Sequence, residues 1–338
     1  MSVNTDVAII GAGPCGLFQV FELGLLDLKA CVIDALPVVG GQCTELYPDK
    51  PIYDIPAYPI IGAQELIDKL LEQIKPFGAE FVLGSPVSQL QKQDDGRFHL
   101  ITAAGEEVTA KAVVIAGGVG AFQPVPLRLE GVDRFIDQQL FYKVRDPSDH
   151  HGKKVVVLGG GDSALDWALQ LYDQCDLTLI HRSANFRAAP ASVNRMKELG
   201  EQGKLKWMSG TVVDYQAAGD RLASIKVTDI DRNDHQIEVD HVLAFYGLLP
   251  KLGPIAEWGL NLNKNTITVD TEKFESSTPG IYAVGDINTY PGKKKLILSG
   301  FHEAALAAFA IKHQLYPDQK INLQYTTTSP AMHKKLGV

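Results

Sequence analysis

Two stretches of the chain repeat one pattern: an apolar run, a glycine cluster, then an amphipathic segment. Residues 6–11 read Asp-Val-Ala-Ile-Ile-Gly, without the polar alternation of a half-exposed strand, which predicts a parallel strand buried on both faces. The run opens into Gly11-Ala12-Gly13-Pro14-Cys15-Gly16. A helix is predicted from residue 17 to about 26, and a second strand, residues 30–33, ends on Asp34. Much further on, residues 154–158 lead into Gly159-Gly160-Gly161-Asp162-Ser163-Ala164. A helix over 165–172 comes next, then a strand over 177–180 ending on His181-Arg182. Each copy is strand, turn, helix and strand within about 30 residues, the unit of an α/β fold with Rossmann-like domains.

The glycines fall where chemistry needs them. Gly11 and Gly159 permit a tight turn, Gly13 and Gly161 let backbone approach a pyrophosphate, and Gly16 and Ala164 let helix and strand pack closely. The pyrophosphate then meets free N–H groups at the positive end of a helix dipole. Two such turns predict two dinucleotide sites. Asp34, 18 residues beyond Gly16, is placed to accept hydrogen bonds from ribose hydroxyls and would repel a 2′-phosphate, so the first site suits FAD or NAD. The second copy has no carboxylate in that register; His181, Arg182, Ser183 and, a little later, Arg187 suit a 2′-phosphate, hence NADP(H). Residues 278–286 form an apolar strand ending in Gly285-Asp286, where Asp286 can receive a ribityl hydroxyl; this assigns FAD to the first site. A long helix is predicted from about residue 300 to 313, its N-terminus facing the flavin.

Composition narrows the field. At 338 residues the chain has room for two domains, and 45% apolar with 21% charged residues is ordinary for a globular protein. A net charge of −8 argues against nucleic acid and against a polybasic membrane surface. No apolar run approaches the roughly 18 residues of a spanning helix, and residues 1–6 lack a signal-peptide pattern. The four cysteines, Cys15, Cys31, Cys43 and Cys175, show neither C-x-x-C nor metal-site spacing. A reducing cytoplasm is the expected home, and no metal is expected.

Taken together, the glycine motifs, Gly40-Gly41-Gln42, Ala116-Gly117-Gly118, Phe186-Arg187-Ala188 and Gly280–Asp286 resemble the thioredoxin reductase-like branch of the two-dinucleotide-binding flavoproteins. The resemblance covers essentially the whole chain. It implies two three-layer ββα domains, with the NADP(H) domain (residues 120–249) inserted in the FAD domain (residues 1–119 and 250–338). Thioredoxin reductases carry a redox C-x-x-C just before the second glycine motif; here that slot is Tyr142-Lys143-Val144-Arg145. The chain is similar instead to the ferredoxin–NADP(+) reductases of this type, through residues 40–48, residues 290–295 and an extension over 325–330. The resemblance implies FAD contacts at Cys15, Asp34, Gln42, Tyr47 (stacking on the flavin), Val87, Phe122, Asp286 and Thr327, the last reaching the flavin of a second subunit in a homodimer. No acid–base pair is expected. Ferredoxin or flavodoxin, being acidic, would need a local basic patch, for which Lys293-Lys294-Lys295 is the first candidate and Lys334-Lys335 another. The alternatives are an NADPH-dependent disulfide or peroxide reductase with an external partner, and a non-catalytic redox sensor.

Overall fold

The structure, a computed structural model, describes residues 2–48, 50–319 and 326–337, without the side chains of residues 121–123, 248–250 and 331. The chain divides into two units, one made of Met1–Ala121 with Pro250–Val338 and the other of Phe122–Leu249.

The first unit opens with β1 (Ser2–Ile10), whose last four residues are fully buried. Helix α1 (Pro14–Leu25) buries Leu17, Val20, Leu23 and Gly24 on one stripe. It starts before the predicted residue 17, because proline's fixed φ and missing N–H suit a first turn. After β2 (Ala30–Asp34) comes α2 (Ala63–Ile74), then β3 (Glu80–Leu83), β4 (Val87–Lys92), β5 (Phe98–Thr102) and β6 (Glu107–Ile115). The second unit contains β7 (Lys154–Leu158), α3 (Asp162–Leu171), β8 (Asp176–His181), α4 (Pro190–Glu201), β9 (Lys206–Ala218), β10 (Arg221–Asp229), β11 (Asp234–Glu238) and β12 (His241–Ala244). The first unit resumes with β13 (Ile281–Ala283), α5 (Ile297–Leu315) and α6 (Pro330–Leu336).

In the first unit the strand order is β3-β2-β1-β6-β5-β4, with β13 also on β6. Strand β6 joins two layers. Its first half, Glu107–Ala110, pairs antiparallel with β5, while Val113–Ile115 pairs parallel with β13. The second unit repeats the plan: β12-β7-β8-β9 are parallel, and β9 continues antiparallel into β10 and β11. The consequence for function is the same in both. Parallel strands end together at their carboxyl edge, and the glycine turns lie there.

Candidate functional site

The two glycine turns agree at their first glycine. Gly11 N–H donates to Ile33 O at 2.8 Å, and Gly159 N–H to Ile180 O at 3.0 Å. Both adopt positive φ, 114° and 144°. A Cβ on either would lie 2.4 Å from a carbonyl oxygen, that of Ala116 or of Phe245. Only glycine fits. A Cβ on Gly16 would meet Gly11 O at 1.8 Å, so the helix can start this close only without a side chain.

The middle glycines differ. Gly13 and Gly161 have φ of −75° and −96°, which any residue adopts, and a Cβ on either would meet no protein atom within 4 Å. Neither backbone strain nor packing among the described residues asks for glycine here, which fits the close approach of a ligand. Helices α1 and α3 begin at these residues without a side-chain cap, leaving their first N–H groups for an anion.

The strand end beyond each turn sets its charge. The Asp34 carboxylate accepts from Ala12 N–H at 2.6 Å and from Leu36 N–H at 2.8 Å. Burial pushes its pKa up while these backbone donors pull it down. Because Ile33 and Ile180 are matched by the turn hydrogen bonds, His181 is the counterpart of Asp34. Its ring lies on Gly160, where a Cβ would be 2.5 Å away, and tilts against Phe186 with centroids 5.1 Å apart. Burial, reinforced by Arg182 and Arg187 and opposed by a hydrogen bond to the Asn185 backbone, lowers the His181 pKa. Arg187 N–H donates to Gly160 O at 2.7 Å, and Ala189 N–H to Asp162 Oδ1 at 2.9 Å. Asp162 thus ties residues 182–189 to the head of α3. Arg182, Arg187 and Ser163 face solvent or nearly so, and among the described residues neither arginine has an ion-pair partner.

In the first unit further segments converge on the glycine turn. Gly40 N–H donates to Ala12 O at 2.8 Å, and a Cβ on Gly41 would reach Gly13 Cα at 3.2 Å. The one-turn helix Gln42–Glu45 comes next, with Gln42 Nε2 within 3.5 Å of where Gly118 would carry a Cβ. Tyr47 is half-buried, its hydroxyl 4.0 Å from the Cys43 thiol. Strand β13 delivers Gly285-Asp286 beside Cys15, whose sulfur lies 3.1 Å from a Cβ built on Gly285. Burial raises the Asp286 pKa, and Lys293 and Lys295 counter it. Two buried oxygens here, Thr44 Oγ1 and Asn288 Oδ1, have no partner among the described residues. An uncapped helix, an open Cβ position at Gly13, a half-buried carboxylate and two orphaned acceptors fit a bulky polyhydroxylated dinucleotide. Motif reading missed Thr44 and Asn288; each is one polar residue beside a glycine motif, a signal too weak to stand out.

Other expected residues are not gathered here. Val87 is buried at the start of β4, in a segment joined to the cradle where Ser85 N–H donates to Asp34 O at 3.2 Å. The Phe122 side chain lies outside the described ones. Thr327 is exposed, and α6 beyond it is anchored by Lys335, which donates to Leu25 O at 3.1 Å and pairs with Asp27 at 2.8 Å. That is the carboxyl end of α1, opposite its glycine turn. Helix α5 begins at Ile297, a few residues before the predicted start near residue 300. Lys293 is no surface charge: its side chain is 6% exposed and paired with Glu303. The cysteines are all free. Burial pushes the Cys15 thiol up to about 12 and raises that of Cys43, which removes the thiolate a dithiol relay would use. Cys175 is half-buried and donates to His150 O at 3.1 Å. Surface cavities of about 320 and 590 Å³ open at the amino ends of β7 and its neighbours, lined by Lys154, Asp176 and Lys206 and by Lys153, Arg221 and His241. They lie at the strand ends opposite the glycine turn, and their acidic and basic side chains are largely paired with one another.

Two glycine turns of dinucleotide-binding form in one chain, one with a carboxylate at its strand end and one followed by arginines, fit a two-nucleotide oxidoreductase of the α/β class. The chain belongs to the pyridine nucleotide-disulphide oxidoreductase family, whose model matches residues 5–310. It is 59% identical over 337 residues to ferredoxin–NADP reductase 2 of Cupriavidus metallidurans, covering 99% of this chain and 92% of that one. The ferredoxin–NADP reductase of Methylibium petroleiphilum is 56% identical, with 99% and 93% covered. Among solved structures, T. acidophilum thioredoxin reductase superposes with a TM-score of 0.75 at 24% identity, covering 92% of this chain and 99% of its own. The bacillithiol disulfide reductase of Staphylococcus aureus gives 0.76 at 18%, covering 94% and 100%. These two share the fold.

Proposed function

We infer that this chain is a ferredoxin–NADP reductase, using FAD and NADP(H). The observation that carries the reading is the pairing of two unlike dinucleotide cradles with no thiol pair to relay electrons: the slot at residues 142–145 holds no sulfur. The Cupriavidus and Methylibium relatives supply the partner class.

FAD is held by the first unit. The head of α1 with Gly11, Gly13, Cys15 and Gly16 takes the pyrophosphate, Asp34 the adenosine ribose, and Gln42, Tyr47 and Asp286 the flavin half. NADP(H) is held by Gly159, Gly161, Asp162, Ser163 and Ala164 at the head of α3, with His181, Arg182 and Arg187 on the 2′-phosphate. Bound FAD supplies the conversion between a two-electron hydride and single electrons. The chain orients both nucleotides and excludes competing thiol chemistry.

An acidic carrier, ferredoxin or flavodoxin, needs a basic landing site on a protein of net charge −8. Lys294 and Lys295, both exposed, provide it beside Asp286, together with exposed Leu296 and Leu298. Thr327 serves the flavin of a second subunit in a homodimer, in keeping with the anchoring of α6 away from its own glycine turn. Four free thiols suit a reducing cytoplasm. The deciding assay is NADPH-dependent cytochrome c reduction with ferredoxin and flavodoxin in parallel. Turnover that depends on the added carrier is expected; turnover with a disulfide substrate alone would overturn the assignment.

A further inference from the structure

Among the described residues, Glu303 is the one ionisable group on the buried face of α5, beside Gly300, Ala304, Ala307, Ala308 and Ile311, and its exposure is 0%. A carboxylate in such a place is tolerated only when it is paired and its lone pairs are filled. Here both oxygens are filled twice. Oε2 accepts from Gly285 N–H at 2.7 Å and Asn288 Nδ2 at 2.8 Å; Oε1 accepts from the Tyr290 hydroxyl at 2.9 Å and from Lys293 Nζ. Lys293 Nζ also donates to Gly285 O at 2.8 Å. The N–H and the C=O of Gly285 are therefore gripped by opposite ends of one ion pair, directly before Asp286.

Stability alone does not account for this arrangement. A buried ion pair is commonly replaced by apolar residues without loss, so an ion pair whose two ends hold the N–H and the C=O of one residue, with Asn288 and Tyr290 filling the rest of the carboxylate, points to a demand on geometry. The demand is local. Among the described residues Asp286 feels both members, Lys293 favouring its charged form and Glu303 opposing it.

We propose that Glu303 and Lys293 are positioning residues of the FAD cradle, an internal ion pair that fixes the Gly285 peptide, and with it the Asp286 carboxylate, while adding no net charge to the flavin's surroundings. The proposal rests on FAD occupying the first unit. It makes two separable demands: the grip sets affinity, and the neutrality of the pair sets the flavin's reduction potential. Losing Lys293 leaves an extra negative charge and disfavours the reduced, more anionic cofactor; neutralising Glu303 leaves an extra positive charge and does the reverse.

The experiment compares wild type, Glu303→Gln, Lys293→Met and the uncharged double variant Glu303→Leu/Lys293→Met. FAD affinity is read by fluorescence titration of deflavinated protein, the midpoint potential by dye equilibration, and folding by the apo Tm. The potential should rise in Glu303→Gln and fall in Lys293→Met. The double variant should return close to the wild-type potential yet bind FAD about tenfold to a hundredfold more weakly, the loss expected for charge-assisted hydrogen bonds. Potential shifts of the same sign, or none, or wild-type affinity in the double variant, would overturn the proposal. If a single variant does not fold, the double variant decides alone by the same affinity criterion. Wild-type protein that binds no FAD would instead refute the reading on which the proposal rests.

Discussion

At Gly13 and Gly161 the backbone is ordinary and the space beside Cα is open, so alanine should be accepted by the fold and rejected by the ligand. Gly13→Ala should leave the apo Tm nearly unchanged, since a gain of about 0.4–1 kcal/mol through the unfolded chain is offset by alanine's poorer N-cap at the head of α1, while FAD is lost. Gly161→Ala should do the same for NADPH, read as a higher KM with normal FAD content. Gly11→Ala is the contrast: positive φ and a 2.4 Å approach to Ala116 O should destabilise the apo protein by more than about 1 kcal/mol. A falling Tm in Gly13→Ala as large as in Gly11→Ala would defeat the distinction. Removing Arg182 or Arg187 should raise the KM for NADPH about tenfold to a hundredfold and leave that for NADH unchanged; equal effects on both would remove the 2′-phosphate from the account. Such residues were legible because a glycine turn and the strand end after it lie within one short segment. Glu303 and Lys293 were not. Their meeting with Gly285 depends on three segments folding together, and a run of three lysines reads as solvated surface although its first member is inside. A lone glutamate in the alanine-rich stretch 303–310 was the available signal.

At the level of elements, periodicity located the helices and the buried strands, and end chemistry moved their limits. Helices α1 and α3 start at Pro14 and Asp162, inside the glycine motifs, because a helix whose first N–H groups serve an anion needs no conventional cap. The antiparallel layers β4-β5-β6 and β9-β10-β11 left weaker traces, since half-exposed strands such as β4 and β11 carry mostly polar residues. The segment between β13 and α5 joins the two kinds of information: Lys293 is committed to Glu303, which leaves Lys294 and Lys295 for a partner. Lys294→Glu with Lys295→Glu should lower kcat/KM for ferredoxin about tenfold at low salt, converge on wild type as salt is raised, and spare NADPH–ferricyanide turnover. Loss of ferricyanide turnover to the same extent would show that the segment acts on the flavin and not on the carrier.

For the molecule as a whole, a contact in the second unit that no short-range reading of sequence exposes should make stability fall on the acid side. His150 and His241, 91 residues apart, meet Nδ1 to Nδ1 at 2.9 Å, and Phe141 stands edge-on to both rings. His150 is 2% exposed. One nitrogen donates and the other accepts, so two charged rings cannot share this contact. Burial lowers both pKa values from the ordinary 6.5; Asp149 and Asp146 oppose it at His150, while His150 and Lys153 reinforce it at His241 against Asp240 and Asp149. Linkage fixes the sign. Where the unfolded chain binds more protons than the folded one, stability rises with pH, so the contribution of the pair is complete above pH 6.5 and is lost as pH falls through that value towards the lowered folded pKa values. Buried Asp34 and Asp286, with raised pKa values, titrate from the opposite side, which makes the comparison of variants decisive rather than the wild-type profile alone. Replacing His150 or His241 by asparagine should flatten the decline in Tm of the second unit below pH 6.5, at some loss of stability at neutral pH. Thermal scans across this range, with tryptophan emission from Trp167 and Trp207 tracking the second unit in a Trp258→Phe background that silences the first, provide the measurement. A decline as steep in both variants as in wild type would place the acid sensitivity elsewhere.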